Sequence, residues 1–113
     1  SPSIAFNQSL IVSNTFTIAN TTASLIHSFP KATYRGGKYI VAMKNNNANA
    51  SVISELLVVH DVGAAYLTEY AIVASNTTFG AFSANADATN VRLYFTSTSN
   101  NATINYTTTL LVV

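Results

Sequence analysis

Few residues in this sequence could carry out chemistry, and only one adjacent pair has catalytic side-chain types. His60 precedes Asp61, with Glu55 and Glu69 close by in the chain. A metal hydrolase of the His-Asp type needs further ligands on helices, and His27 is the one other histidine. The four side chains near the pair could hold a cation across a hairpin, but a turn in which Asp61 accepts backbone hydrogen bonds beside a packed His60 is the better interpretation. We therefore expect no catalytic residue and no metal ligand.

Other motifs of enzymes and cofactor sites are missing as well. No Gly-x-Ser-x-Gly elbow is present, and the twelve serines have no spacing that singles one out as a nucleophile. Gly36-Gly37 is too short for a phosphate-binding loop and lacks the Lys-Ser/Thr and the helix that follow such a loop. We interpret these two glycines as a turn and expect no cofactor. The absence of cysteine excludes disulfides and thiolate metal sites.

The charged residues are sparse and isolated. The net charge is +1, and charged residues make up 8% of the chain. Binding to nucleic acid would need a basic stripe that neutralises several phosphates, and none is visible. No apolar run reaches about 18 residues, so we expect no membrane partner. The basic residues are Lys31, Arg35, Lys38, Lys44 and Arg92.

Composition favours β-structure and contact with neighbouring subunits. Apolar residues make up 49% of the chain, and Ser, Thr and Asn supply about a third. Thr, Val, Ile, Tyr and Phe suit a pleated surface, whereas Asn and Ser suit turns. Charged side chains usually prevent strand edges from associating, and this chain has few of them. The alternatives are a monomer that its Ser, Thr and Asn keep soluble and a subunit largely covered by neighbours, which we favour.

Short apolar runs separated by Asn, Gly, Ser and Pro predict an all-β fold, a two-sheet antiparallel β-sandwich of the jelly-roll type with about eight strands. We expect one domain over residues 1–113, in which residues 1–33 either complete the sandwich or include an N-terminal arm. The predicted strands are 9–19, 24–29, 37–44, 52–60, 65–74, 79–84, 90–97 and 102–112.

Two of these strands are apolar on both faces. In the run 56–59 successive residues point to opposite sides, and all four are Leu or Val. The run 38–43 has the same character. A strand buried on both faces needs a second covering layer, either a loop of the same chain or another subunit, and we favour the subunit. The residues predicted to serve the core or the assembly surface are Tyr39, Val41, Leu57, Val59, Tyr66 and Tyr70.

Smaller features suggest further contacts. Lys38 beside Glu55, or Arg92 beside Glu69, would help to set strand register. The aromatic residues are expected mostly in the core, and an exposed pair of tyrosines would offer a platform for a sugar ring. Six Asn-x-Ser/Thr sequons matter only if the chain passes through a glycosylating pathway. They begin at Asn7, Asn20, Asn49, Asn76, Asn101 and Asn105.

From Tyr34 onward the sequence resembles a β-rich module of structural proteins from marine tailed phages, including phages of cyanobacteria and pelagic bacteria. The resemblance covers about 80 of 113 residues. It departs from the family pattern where Val62 separates Asp61 from Gly63, which leaves the shape of that turn open. The segments that carry the resemblance are Tyr34-Arg35-Gly36-Gly37-Lys38-Tyr39-Ile40-Val41, residues 52–61, residues 65–71, residues 90–96 and the Thr-rich last strand.

The resemblance implies a non-enzymatic virion protein, such as a capsid-decoration, neck, tail or fibre component. Its expected partners are copies of itself and other virion proteins, and a host-surface glycan is a further candidate. The expected location is the virion. One alternative is a subunit of an extracellular or cell-surface fibre or pilus-like filament, and a second is a carbohydrate-binding β-sandwich.

Overall fold

The computed structural model describes residues 3–75 and 79–113, and its regular structure is β-strand throughout. The predicted all-β sandwich is confirmed, and eight strands lie where the sequence predicts them. The short strand at the N-terminal end was not predicted. The strands are β1 Ser3–Ala5, β2 Ser9–Ile18, β3 Ala23–Pro30, β4 Tyr34–Asn45, β5 Ala50–Asp61, β6 Ala64–Ala74, β7 Gly80–Ala86, β8 Asn90–Ser97 and β9 Ala102–Val112.

The strands form two antiparallel sheets of unequal size. The larger sheet has the order β1-β2-β9-β4-β5-β6, and the smaller sheet has the order β3-β8-β7. The chain crosses between sheets from β2 to β3 and returns from β8 to β9, while β2 pairs with β9 and β3 pairs with β8. This nested exchange between two sheets is the jelly-roll arrangement. Because the smaller sheet has half as many strands, it covers only part of the larger one.

The core lies between the sheets and follows the period of two along each strand. In β5 the buried and exposed residues alternate, with Leu56 and Val58 inside. Tyr39 and Ile104 from the larger sheet meet Phe95 from the smaller one in the same cluster. Burial of a large apolar side chain contributes roughly 1.5–3 kcal/mol, so this cluster is the main source of stability.

Residues before Pro30 take part in both sheets. The ten residues of β2 pair with β9, and β3 pairs with β8. β1 pairs with β2 and forms the outer edge of the larger sheet. The assignment of the whole chain to one domain stays a prediction.

The interpretation of Gly36-Gly37 as a turn is wrong, because both residues lie within β4 between two paired strands. A Cβ on Gly36 would overlap the carbonyl oxygen of Val58, and a Cβ on Gly37 would overlap that of Thr109. Glycine in a strand often marks a close approach of neighbouring backbone, and this is the case here. A shift of register between Tyr34 and Gly36 occurs beside these residues.

The turn between β5 and β6 consists of two residues. Asp61 pairs with Ala64, so that Val62 and Gly63 form the loop, and Gly63 has a φ of 75°. Glycine adopts that conformation without the steric cost that a side chain would add. Among the residues described, no helix is long and apolar enough to cross a membrane.

Candidate functional site

The outer face of the six-stranded sheet is the most prominent surface of the described molecule. It consists of the side chains of β4, β5, β6 and β9 that point away from the smaller sheet, and many of them are apolar. Leu57 and Val59 are 48% and 45% exposed, although each follows a fully buried neighbour on the same strand. The described part of the chain leaves this face uncovered. Its exposed large apolar residues are Ile40, Ile53, Leu57, Val59, Tyr66, Tyr70, Val73 and Leu111.

The six residues predicted for the core or the assembly surface divide between the two sides of the sheet. Tyr39 and Val41 are completely buried in the core. The other four lie on the outer face, on the neighbouring strands β5 and β6. They are Leu57, Val59, Tyr66 and Tyr70. Strands with apolar residues on both faces are therefore present, and it is one face of these strands that lacks a cover.

A groove of about 710 Å³ runs across the outer face between β9, β4, β5 and β6. Leu57, Val59 and Tyr66 form its apolar wall, and Leu111 approaches from β9. The backbone of Gly36 and the following residue forms its floor, because these positions carry no side chain. The groove is thus a direct result of the close strand packing that glycine permits.

One ion pair lies on the same face. Lys38 Nζ is 3.7 Å from Glu55 Oε2, on adjacent strands and in a diagonal register. This pair was one of the two that the sequence predicted. Tyr70 is the extra residue of a bulge in β6 that brings it beside Glu55. The pKa of Tyr70 is raised by loss of solvent around its hydroxyl and by the hydrogen bond and negative charge of Glu55.

The second predicted pair does not form. Arg92 binds Asp87, not Glu69, because Asp87 lies in the turn that leads into the same strand. The Oδ1 atom of Asp87 accepts hydrogen bonds from the backbone N–H groups of Thr89 and Asn90, at 2.9 and 2.8 Å. These bonds, together with Arg92, hold the pKa of Asp87 well below its usual range.

His60 and Asp61 point to opposite sides of β5. His60 is buried, and its Nε2 atom lies 2.7 Å from the backbone oxygen of Tyr34. Asp61 is exposed, and its Oδ1 atom accepts a hydrogen bond of 2.8 Å from the N–H of Val62. The structural interpretation of this pair is thus in agreement with the geometry. In residues 3–75 and 79–113 no three His, Asp or Glu side chains lie close enough to hold a metal ion together.

A polar contact that the sequence did not predict lies in the core. His27 Nδ1 and the Tyr39 hydroxyl form a hydrogen bond of 2.7 Å, and the His27 ring packs at 5.4 Å from the Tyr106 ring. A bulge in β3 turns both Ile26 and His27 toward the core, where strict alternation would place one outside. Burial lowers the pKa of His27 to about 4 and raises that of Tyr39 well above its usual range.

Five of the six sequons begin at exposed asparagines, whereas Asn76 lies outside the described residues. The exposed tyrosines Tyr66 and Tyr70 both lie on β6, as a sugar platform would require, but they are separated by the strand residues between them.

Comparison with known proteins finds similarity at the level of structure. No family model and no curated protein matches the sequence. The chain is similar to part of the tailspike protein of Acinetobacter phage vB_ApiP_P1, with 14% identity and a TM-score of 0.50 over 91% of this chain and 22% of that one. It is also similar to part of gp49 of Acinetobacter baumannii bacteriophage Fri1, a tailspike described as a capsular polysaccharide depolymerase. In that case the identity is 12% and the TM-score 0.53, over 99% of this chain and 20% of the tailspike.

The chain thus spans about a fifth of the length of the tailspikes that it matches. At such low identity the likeness concerns the fold. The two tailspikes come from Acinetobacter phages, so the resemblance to modules of marine phages stays a prediction. What the comparison establishes is that this chain has the fold of a β-rich module found in phage tailspike proteins.

Proposed function

We propose that this chain is a non-enzymatic structural module of a phage tail spike or tail fibre, and that it acts by assembly. Its partners are copies of itself and neighbouring virion proteins. The contact surface is the outer face of the six-stranded sheet, and this face carries the proposal.

The size of the apolar surface supports an interface of ordinary area. Eight large apolar side chains, each roughly half exposed, present on the order of 700 Å² on one face. The largest apolar patch on a typical monomer is about 300–600 Å², and a standard interface takes about 800 Å² from each partner. The outer face therefore has about the area that one side of a stable protein contact needs.

The charge of the face favours a copy of the same chain as the partner. Lys38 and Glu55 already neutralise each other near its centre. A face without net charge has no electrostatic preference for a strongly charged partner, and two such faces meet without repulsion. The low overall charge of the chain acts in the same direction, since few charges must lose their water when copies associate.

The fold likeness to two tailspikes supports a place in the tail apparatus over the capsid-decoration and neck alternatives. The depolymerase activity named for one neighbour belongs to a chain of which this one covers 20%, and the proposal does not extend that activity to this module. An origin in a phage of marine bacteria is part of the proposal and is carried by the sequence resemblance alone.

Immunogold electron microscopy of the native source material, with an antibody to this chain, tests where the module is located. We expect gold particles on the tails of phage virions. Label on heads or necks would contradict the tail assignment. Label on particle-free filaments or cell surfaces would instead favour the extracellular-fibre alternative. Label diffusely over virion-free material would contradict both filamentous functions.

A further inference from the structure

A second cleft, of about 260 Å³, opens between the two sheets beside β6 and β7. Each of these strands is the edge of its sheet, and the cleft exists because the smaller sheet ends at β7 while the larger one continues to β6. It lies on the core side of β5, opposite the outer face, so it is separate from the assembly surface. Its walls contain Phe79, Phe82 and Phe95 from the smaller sheet.

A buried hydroxyl without a partner lines this cleft. Ser54 is 1% exposed, and across the described ranges its Oγ is the one buried side-chain polar atom that lacks a hydrogen-bond partner. Leaving a buried hydroxyl unpaired costs free energy, and such groups in native proteins call for an explanation. A hydroxyl at the wall of an open cleft can recover that cost by binding a ligand that both donates and accepts hydrogen bonds.

The other groups of the cleft define the chemistry of such a ligand. The Phe82 and Phe95 rings lie 4.8 Å apart and offer an apolar aromatic wall. Glu69 supplies a carboxylate that accepts hydrogen bonds, and it comes from the exposed edge strand β6. A ligand with one apolar face and several hydroxyl groups would satisfy all three features. An anionic ligand would be repelled by the carboxylate, since the lining includes no basic residue.

We propose that this cleft binds a single neutral pyranose sugar residue, with the apolar face of the ring against the phenylalanines and its hydroxyls on Ser54 and Glu69. The volume suits about one sugar ring and excludes a longer oligosaccharide from the interior. This site goes beyond the proposed assembly function and shares no side chain with the outer face, so either proposal can fail without the other.

Titration of the isotope-labelled protein, followed by NMR, tests the site. The probes are methyl β-D-glucopyranoside, methyl β-D-galactopyranoside and N-acetylglucosamine, with methyl β-D-glucuronide as the anionic counterpart. We expect at least one neutral probe to shift resonances of Ser54, Ile72 and the three phenylalanines, with a Kd on the order of 1 mM. The glucuronide should bind about tenfold more weakly.

Two variants separate binding from a structural role. Ser54→Ala should weaken the neutral sugar about tenfold, whereas Ser51→Ala, on the exposed side of the same strand, should leave the Kd unchanged. Glu69→Gln should reduce the preference for the neutral probe over the glucuronide. The proposal is overturned if no neutral probe shifts the cleft resonances at concentrations up to roughly 10 mM. It is equally overturned if Ser54→Ala raises Tm and leaves sugar affinity intact, because the hydroxyl is then only an unpaired core group.

Discussion

The contact between His27 and Tyr39 is the clearest case in which a single polar residue affects stability. The imidazole is enclosed by the rings of Phe29, Tyr39 and Tyr106, so water reaches it poorly. The neutral form is favoured for that reason, and its pKa falls from 6.5 to about 4. In the unfolded chain the same residue takes up a proton near pH 6.5. The folded protein therefore binds fewer protons between pH 6.5 and 4, and its stability falls as pH falls through that window.

His27→Gln should remove this pH dependence while it keeps a polar group near Tyr39. For the wild type we expect the His27 contribution, on the order of 2 kcal/mol after allowance for partial exposure, to be lost between pH 7 and 4. Urea unfolding at both pH values measures it, and the difference between wild type and variant isolates His27 from the carboxylates. A variant that loses as much stability as the wild type over that range would show that His27 is not responsible.

Strand β4 illustrates how one element positions a surface. Gly36 and Gly37 allow β4 to approach β5 and β9 closely, and a Cβ on Gly36 would also lie 2.9 Å from the Cα of Val59. The shallow floor that results belongs to the groove on the outer face. The same two residues are thus responsible both for strand packing and for the shape of the proposed contact surface.

Substitution of these glycines by alanine should be costly. We expect Gly36→Ala and Gly37→Ala each to lower the free energy of unfolding by about 3 kcal/mol, because the added methyl overlaps backbone that cannot move independently. Gly63→Ala is the matched control: a Cβ there meets nothing within 4 Å, and only its positive φ is unfavourable, at about 1 kcal/mol. Urea titration ranks the three variants. Equal costs at all three positions would mean that packing around β4 is looser than described.

At the scale of the whole molecule, the unequal sizes of the two sheets decide which surfaces remain open. Three strands cannot cover six, and the uncovered regions are the cleft beside β6 and β7 and the full outer face of the larger sheet. Leu57 and Val59 lie on that outer face while Leu56 and Val58 lie in the core, so changes at the first two should affect association without unfolding the protein.

Leu57→Asp and Val59→Asp should each abolish self-association and preserve the fold. A carboxylate in the centre of an apolar contact loses its water without gaining a partner, which should weaken association by at least 100-fold. Sedimentation velocity measures the oligomer, and circular dichroism with thermal unfolding checks the fold. Ser83→Asp is the control, because it adds the same charge to an exposed position on the smaller sheet. If both variants stay folded and associate like the wild type, the outer face is not the contact surface.

The sequence by itself determined the class of the fold and the positions of eight strands, because both depend on local properties: β-branched and aromatic runs, and turn residues between them. It also identified strands with two apolar faces and the Lys38–Glu55 pair. It did not predict the core contact of His27, because the bulge in β3 that turns this residue inward has no clear sequence signal.

Only the tertiary structure decided which strands share a sheet, which face of β5 is buried, and why two glycines lie inside β4. It also decided that Arg92 pairs with Asp87 and that Ser54 lines an open cleft. Each of these depends on residues distant in sequence, whose approach is set by packing of the two sheets. Local patterns contain no information on what covers a strand, since burial is a property of the neighbours that a residue acquires on folding.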